Sequence, residues 1–296
     1  MSVCVIFNPA ARGEKATRFR AQLGTLARHC TPWPTTGAGS GVPLAAEAVR
    51  KGFETIVAAG GDGTVNEVLN GIGSVPEALA RVRLGVVPLG TTNVFARELG
   101  LPAHIQPAWA IIERGRDLLI DVGVAEAVAG HQSTKRYFLQ MAGAGWDARV
   151  TASVHWEHKK KIGQLAYVLA GAQALRGPQA NVTLTAGTHS LSGPLALIGN
   201  GRFYAGSWRV FPRADLQDGL LEATVFPRWN WWAAARAVLG IALNRVYTLG
   251  GARHLQAPVL QASSPEPLPF HVEAENAGVL PARFSVLPRA LRVIVP

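Results

Sequence analysis

The sequence predicts an α/β domain on a mainly parallel sheet, followed by a β-rich, mainly antiparallel domain. Three observations carry this. In the N-terminal part, short apolar runs alternate with glycine- or proline-bearing turns and helix-spaced segments, the signature of repeated strand–turn–helix units. Near residue 117 the pattern changes to short β-rich pieces with glycine or proline between them. The chain has 296 residues, 48% of them hydrophobic, which suffices for two packed cores.

The elements follow in order. Residues 3–7 form an apolar strand, and 8–13 (Asn8, Pro9, Ala10, Ala11, Arg12, Gly13) a turn. Segment 15–29 suits a helix with Phe19, Leu23 and Leu26 at apolar positions. Segment 31–43 is rich in turn formers, and 44–50 suits a short helix. A strand over 55–59 stops at Gly60-Gly61-Asp62-Gly63, and helical spacing resumes at 65–72 with Val68 and Ile72 on one face. A further strand at 84–87 is halted by Pro88 and answered by a helix at 92–99. Such repeats point to a parallel sheet covered on both faces. Beyond 117, strands are expected at 118–124 and 136–142, helices near 145–154 and 163–175, then strands at 182–184, 195–198, 208–211 and 220–226. The domains therefore divide as 1–120 and 121–288, with 289–296 packing back onto the first.

Charge and cysteine usage narrow the class. Lys and Arg number 29 against 19 Asp and Glu, a formal net charge of +10 that favours polyanions without selecting among nucleic acid, anionic membrane and polyphosphate. No window approaches the roughly 18 apolar residues of a spanning helix, so no transmembrane segment is expected. The chain opens on an apolar strand rather than a signal-type segment, and a cytoplasmic location is the default. Cys4 and Cys30 lie too far apart for a redox pair and read as reduced, mostly buried thiols.

The chemistry-bearing residues cluster in turns. Gly60-Gly61-Asp62-Gly63-Thr64 joins a strand to a helix. Glycines there let backbone N–H groups approach an anion, and a helix start adds a favourable field. A carboxylate among phosphate-facing amides implies a cation, and Mg²⁺ is the economical choice. By itself the motif also fits a tight turn that only starts a helix. It is neither G-x-x-x-x-G-K-S/T nor G-x-G-x-x-G, since Asn66 stands where the last glycine would be. A second loop, Pro88-Leu89-Gly90-Thr91-Thr92-Asn93, again joins strand to helix and offers hydroxyl and amide groups. With the turn carrying Asn8 and Arg12, three loops can share the carboxyl rim of one sheet.

GGDGTVNEVLNG with PLGTTNVFAR resembles the diacylglycerol kinase catalytic-domain family of lipid kinases, and the GGDG element is more distantly similar to NAD kinases. Asn8-Pro9 with Gly13, residues 120–123, 143–147, 163–167, 199–201, 212–219 and 286–293 extend the resemblance across almost the whole chain. The resemblance implies an NAD kinase/diacylglycerol kinase-like fold: an α/β nucleotide-binding domain, a C-terminal β-sandwich, and a site in the cleft between them, using ATP and Mg²⁺. It assigns Asp62 to the metal–nucleotide centre and Asp121 to a second acidic position. Nucleotide contacts fall to Asn8, Arg12, Gly60, Gly61, Gly63, Thr64, Glu67, Gly90, Thr91, Asn93 and Glu275. An additional Mg²⁺ site falls to Asp218, with Asp215 and Leu220. Relatives commonly carry Asp-Gly-Glu where this chain reads Glu273-Ala274-Glu275, and the aspartate there is their proposed general base. Glu273 keeps a carboxylate on a longer arm, and Ala274 loses glycine's backbone freedom. Backbone adjustment, participation of Glu275, and a weakly active enzyme all remain open on the residues.

The acceptor implied is a lipid alcohol, diacylglycerol or a relative, met through peripheral contact with an anionic membrane and a transient membrane location. His155 to Lys161 forms a basic cluster, and 226–232 holds Trp229, Trp231 and Trp232 ahead of an apolar helical stretch. The tryptophans equally suit a core. A soluble acceptor such as NAD is the enzymatic alternative, and a nucleic-acid module the non-enzymatic one. No helix-turn-helix, zinc or RNP-type element supports the latter. A homodimer is compatible with the sequence.

Overall fold

The computed structural model describes residues 2–9, 14–26, 30–129, 132–153 and 179–296. The chain divides into two compact units, residues 1–122 with 205–207 and 287–296, and residues 123–204 with 208–286.

In the first unit, β1 (Val3–Phe7), α1 (Glu14–Leu26), β2 (Thr31–Pro34), α2 (Gly41–Arg50), β3 (Thr55–Gly60), α3 (Asp62–Gly73), α4 (Ala78–Arg81), β4 (Arg83–Pro88), α5 (Val94–Glu98) and α6 (Ile105–Arg114) precede β5 (Arg116–Ala129). β1, β3 and β4 are almost wholly buried apolar strands, as a sheet covered on both faces requires. The order runs β2-β1-β3-β4 with every pairing parallel. Beside β4, Arg292 and Val293 pair in parallel with Arg83 and Leu84. Val5, Val57, Val87, Trp109, Ile112 and Ile294 form its core with Phe19, which stands 5.9 Å from the Phe7 ring.

The segment read as turn-rich at 31–43 opens on a strand instead. Its Thr-Pro-Trp-Pro sequence looks like a breaker, but it pairs on one side only, at the sheet edge where proline is tolerated.

The second unit continues with β6 (Gln132–Phe138), β7 (Met141–Gly145), α7 (Trp146–Ser153), β8 (Val182–Ala186), β9 (His189–Gly193), β10 (Leu195–Gly199), β11 (Phe203–Tyr204), β12 (Trp208–Arg209), β13 (Leu221–Phe226), α8 (Trp231–Ala242), β14 (Arg253–Ala257), β15 (Val259–Ser263), β16 (Pro269–Val272), β17 (Glu275–Val279) and β18 (Ala282–Val295). One antiparallel sheet has the order β14-β13-β10-β7-β16-β17. A second antiparallel run joins the start of β18 to β15, β8 and β9. The two faces meet over one apolar cluster, in which Phe270 of the first packs edge-on to Phe284 of the second at 5.6 Å. The opposite face of the six-stranded sheet is covered by Phe211, Val246 and Ala237 of α8.

The single strand expected at 136–142 is two, β6 and β7. Leu139 and Gln140 leave the ladder between them because their N–H groups turn to the Glu273 carboxylate. Of 208–211, only Trp208–Arg209 is strand. The helix expected at 163–175 and the cluster at 155–161 lie outside the described residues. Among the described residues, no helix is long and apolar enough to cross a membrane.

Candidate active site

Because β1, β3 and β4 are parallel, the loops after them leave the same edge of the sheet. β3 ends at Gly60 and α3 begins at Asp62, with Gly61 as an extended N-cap that no side chain caps. β4 ends at Pro88, and Asn93, in the left-handed region at φ 49°, starts α5. The Asn93 side chain closes this second loop on itself: the Gly90 N–H donates to its Oδ1 at 2.9 Å, and its Nδ2 donates to the Gly90 carbonyl at 2.7 Å.

The two loops then join. The Leu89 N–H donates to the Gly60 carbonyl at 2.9 Å. Gly61 and Gly90 approach so closely that a Cβ on Gly90 would lie 2.6 Å from the Gly61 Cα. Asp62 crosses the same junction, its Oδ1 accepting the Phe95 N–H of α5 at 3.2 Å. Burial pushes the Asp62 carboxyl above the usual aspartate range, opposed by backbone N–H groups at 93–95 and its own. One carboxylate thus ties the two glycine loops together on the open side of the sheet. Thr64 and Thr91 stand on these loops, half-buried and exposed respectively, with Gly63 exposed beside Thr64.

Glu67 gives both carboxylate oxygens to the start of α2, accepting the N–H groups of Gly39 at 2.8 Å and Gly41 at 2.7 Å. Asp121 is fully buried and accepts the Arg289 N–H at 2.7 Å, holding a residue whose φ is 48°. Asn8 is exposed at the end of β1, and Arg12 lies outside the described residues.

In the second unit, Glu273 and Ala274 form the turn between β16 and β17, both left-handed at φ 50° and 61°. The Glu273 N–H donates to the Met141 carbonyl at 2.9 Å, fixing the turn against β7. Its Oε1 accepts the N–H groups of Leu139 at 2.9 Å and Gln140 at 2.7 Å, so the carboxylate is held in one orientation. Glu275 is exposed.

Two residues before Glu273, on β16, sequence reasoning missed a buried polar group. His271 Nε2 lies 2.6 Å from Asp147 Oδ2, and Tyr204 donates to Asp147 Oδ1 at 2.7 Å. The signal available was Asp147, which closes the Gly143–Asp147 run; nothing in the sequence paired it with His271.

The loop of Asp215 and Asp218 is an exposed double turn. Asp215 Oδ1 accepts the Gln217 N–H at 3.0 Å, and Asp218 Oδ1 accepts the Leu220 N–H at 2.9 Å. Gly219, at φ 72°, turns the chain between Asp218 and Leu220. Among the described residues no group of three His, Cys, Asp or Glu side chains could hold a metal. A cation here would draw on two carboxylates, backbone carbonyls such as that of Leu220, and water, an all-oxygen set that fits a hard ion such as Mg²⁺.

A parallel sheet whose rim carries two interlocked glycine loops, joined by one aspartate, and a separate antiparallel unit define a nucleotide-using two-unit fold. The diacylglycerol kinase catalytic domain profile matches residues 2–125, and that of the YegS C-terminal NAD kinase beta sandwich-like domain matches residues 140–295. The chain belongs to this diacylglycerol kinase family. It is 36% identical to a "Probable lipid kinase YegS-like" of Pseudomonas aeruginosa, over 84% of this chain and 79% of that one. It is 29% identical to a diacylglycerol kinase of Bacillus subtilis, over 99% and 95% of the two chains. A crystal structure of a diacylglycerol kinase from Bacillus anthracis superposes with a TM-score of 0.71 at 20% identity, covering 100% of this chain and 97% of that one. Yeast NADH kinase shares the fold more distantly, with a TM-score of 0.55 at 8% identity over 100% and 84%.

Proposed function

We propose that this ATP-dependent lipid kinase phosphorylates the free hydroxyl of diacylglycerol or a closely related lipid alcohol, with Mg²⁺ as cofactor. Bound Mg²⁺–ATP supplies the transferable γ-phosphoryl group and a cation that neutralises charge developing on it. The chain's residues do the rest. Amides of the Gly61–Thr64 turn and the α3 N-terminus take phosphate oxygens, the Thr64 and Thr91 hydroxyls add uncharged donors, and Asp62 holds the cation.

Glu273 would accept the proton of the lipid hydroxyl, whose oxygen forms the new bond to the γ-phosphorus as the bond from that phosphorus to the ADP oxygen breaks. The amides of Leu139 and Gln140 keep its carboxylate oriented. Asp121, which has no exposed surface, acts by positioning the backbone at Arg289. Asp218, with Asp215 and the Leu220 carbonyl, holds a supporting Mg²⁺.

The observation that carries the reading is the junction of the two glycine loops with Asp62 across it. The test is incubation with labelled ATP and Mg²⁺ against diacylglycerol, monoacylglycerol, phosphatidylglycerol, sphingosine, ceramide, undecaprenol and NAD. Label in diacylglycerol above the others supports the proposal. Label confined to NAD would remove the lipid acceptor.

A further inference from the structure

We propose that the outward face of α8, with the arginine-lined cleft beside it, is a docking surface for an anionic lipid bilayer. The proposal deepens the lipid-kinase reading by naming the partner surface, and it uses none of the residues assigned to phosphoryl transfer.

The inner side of α8 is fully accounted for. Asn230 caps the helix, its Oδ1 accepting the Ala233 N–H at 2.9 Å. Just before it, Trp229 packs against Trp146 at 5.2 Å and Phe226 at 5.0 Å. Ala237 and Gly240 are buried, and Gly240 runs so close to the following loop that a Cβ would lie 2.4 Å from the Gly250 nitrogen. The Arg236 Nε donates to the Leu249 carbonyl at 2.6 Å. The helix is therefore held in one rotation about its axis.

That rotation turns its largest apolar side chains outward. Trp232 is 86% exposed, and Trp231, Val238, Leu239 and Leu243 are each more than half exposed. These are five of the eight large hydrophobic residues exposed among the described residues, gathered on one helix and its last turn. At about 100° per residue they fall within an arc of roughly 140°, with only Ala235 and Ala242 between them. The sequence reading of the tryptophans thus divides: Trp229 belongs to the core, whereas Trp231 and Trp232 do not.

Charge selects the occupant. Between Phe226 and Arg253 the chain carries four arginines, Arg228, Arg236, Arg245 and Arg253, and no aspartate or glutamate. Three of them line a cleft of about 400 Å³ next to Trp232. A second copy meeting this face through its own identical face would set arginine against arginine. An anionic bilayer offers the complement: headgroups for the arginines and an interfacial layer for the indoles and aliphatic side chains. At twelve residues α8 is about 18 Å long, too short to span a membrane and suited to lie in its surface.

The experiment is flotation of the full chain with vesicles of phosphatidylcholine plus phosphatidylglycerol, and with phosphatidylcholine alone. Wild type is expected to float with the anionic vesicles, more weakly at high salt. Trp232→Ala should weaken partitioning at least about tenfold. Arg228→Gln with Arg253→Gln should weaken it roughly fivefold per charge on anionic vesicles only. All three positions are exposed, so thermal unfolding should match wild type.

Wild type that stays unbound to anionic vesicles, or Trp232→Ala that floats as wild type does, would overturn the proposal. So would sedimentation showing a wild-type dimer that Trp232→Ala dissociates, because a second copy would then be the occupant. Flotation does not depend on turnover. A chain that floats as expected but labels no lipid would end the kinase reading and leave the docking surface standing.

Discussion

Replacing Gly90 by alanine tests whether the two phosphate loops work as one interlocked unit. The added Cβ would lie 2.6 Å from the Gly61 Cα and 2.8 Å from Asn93 Oδ1. Carbon atoms in contact sit about 3.5–4.0 Å apart, so the loops must part by roughly 1 Å, because the nearer contact is the Gly61 backbone, which cannot rotate away. Overpacking of this kind costs about 1–3 kcal/mol of stability. A displacement of about 1 Å in positioning groups costs up to ~100-fold in rate. Gly61→Ala is the internal control, because its Cβ would meet the Gly90 Cα at 3.3 Å. A few tenths of an ångström relieve that contact, and the expected loss is less than about tenfold on the same scale. Both variants should be unfolded in urea, then assayed for turnover and ATP affinity with saturating lipid. Gly90→Ala should stay folded, lose roughly 1–3 kcal/mol, and fall far below Gly61→Ala in kcat/KM for ATP. Equal losses, or the reverse order, would mean that loop contact does not set the site's geometry.

Glu273→Gln keeps an oxygen for the Leu139 and Gln140 amides but removes the proton acceptor, so turnover should fall by about 10²–10⁴-fold with ATP affinity little changed. The exposed Glu275→Gln should be nearly silent, and a larger loss there in steady-state assays would move the base to Glu275. Ala274→Gly should stabilise the protein by roughly 1 kcal/mol in denaturant unfolding, because glycine relieves a left-handed turn position now held by alanine at φ 61°. Asp218→Ala should shift the Mg²⁺ dependence of turnover to higher concentration while nucleotide affinity stays close to wild type. An unchanged Mg²⁺ titration would rule out the supporting site.

Much of the first unit was legible because its signals are local. Buried parallel strands read as apolar runs at 55–59 and 84–87, and glycine turns mark where each stops. β2 was not, because Thr-Pro-Trp-Pro carries turn chemistry and becomes a strand only through its long-range pairing with β1. The second unit was harder. β9 and β17 are short strands without a clear apolar alternation, and their partners are set by the sheet, not by their own pattern. At the site, residue types pointed to Asp62 and Glu273, while their settings are tertiary. The Phe95 amide that meets Asp62 lies 33 residues away, and the Gln140 amide that meets Glu273 lies 133 residues away. No periodicity encodes such contacts. The glutamate–alanine pair at 273–274 reads as a departure from Asp-Gly-Glu, yet the backbone still adopts the left-handed turn that glycine would favour. Both Glu273 and Ala274 take the left-handed backbone, and Glu273 stays tied to β7 through the Met141 carbonyl.

The most direct test of the central claim is transfer of the γ-phosphoryl group of labelled ATP to diacylglycerol in mixed micelles, comparing wild type with Asp62→Asn. Asparagine keeps the size of the side chain and an oxygen for the Phe95 N–H, so the loops should stay joined and the fold intact, while the charge that holds Mg²⁺ is gone. Wild type should yield labelled phosphatidic acid, with the rate falling by at least about 100-fold in a folded Asp62→Asn protein. Near-native turnover in that variant, or no labelled lipid from wild type, would contradict that claim.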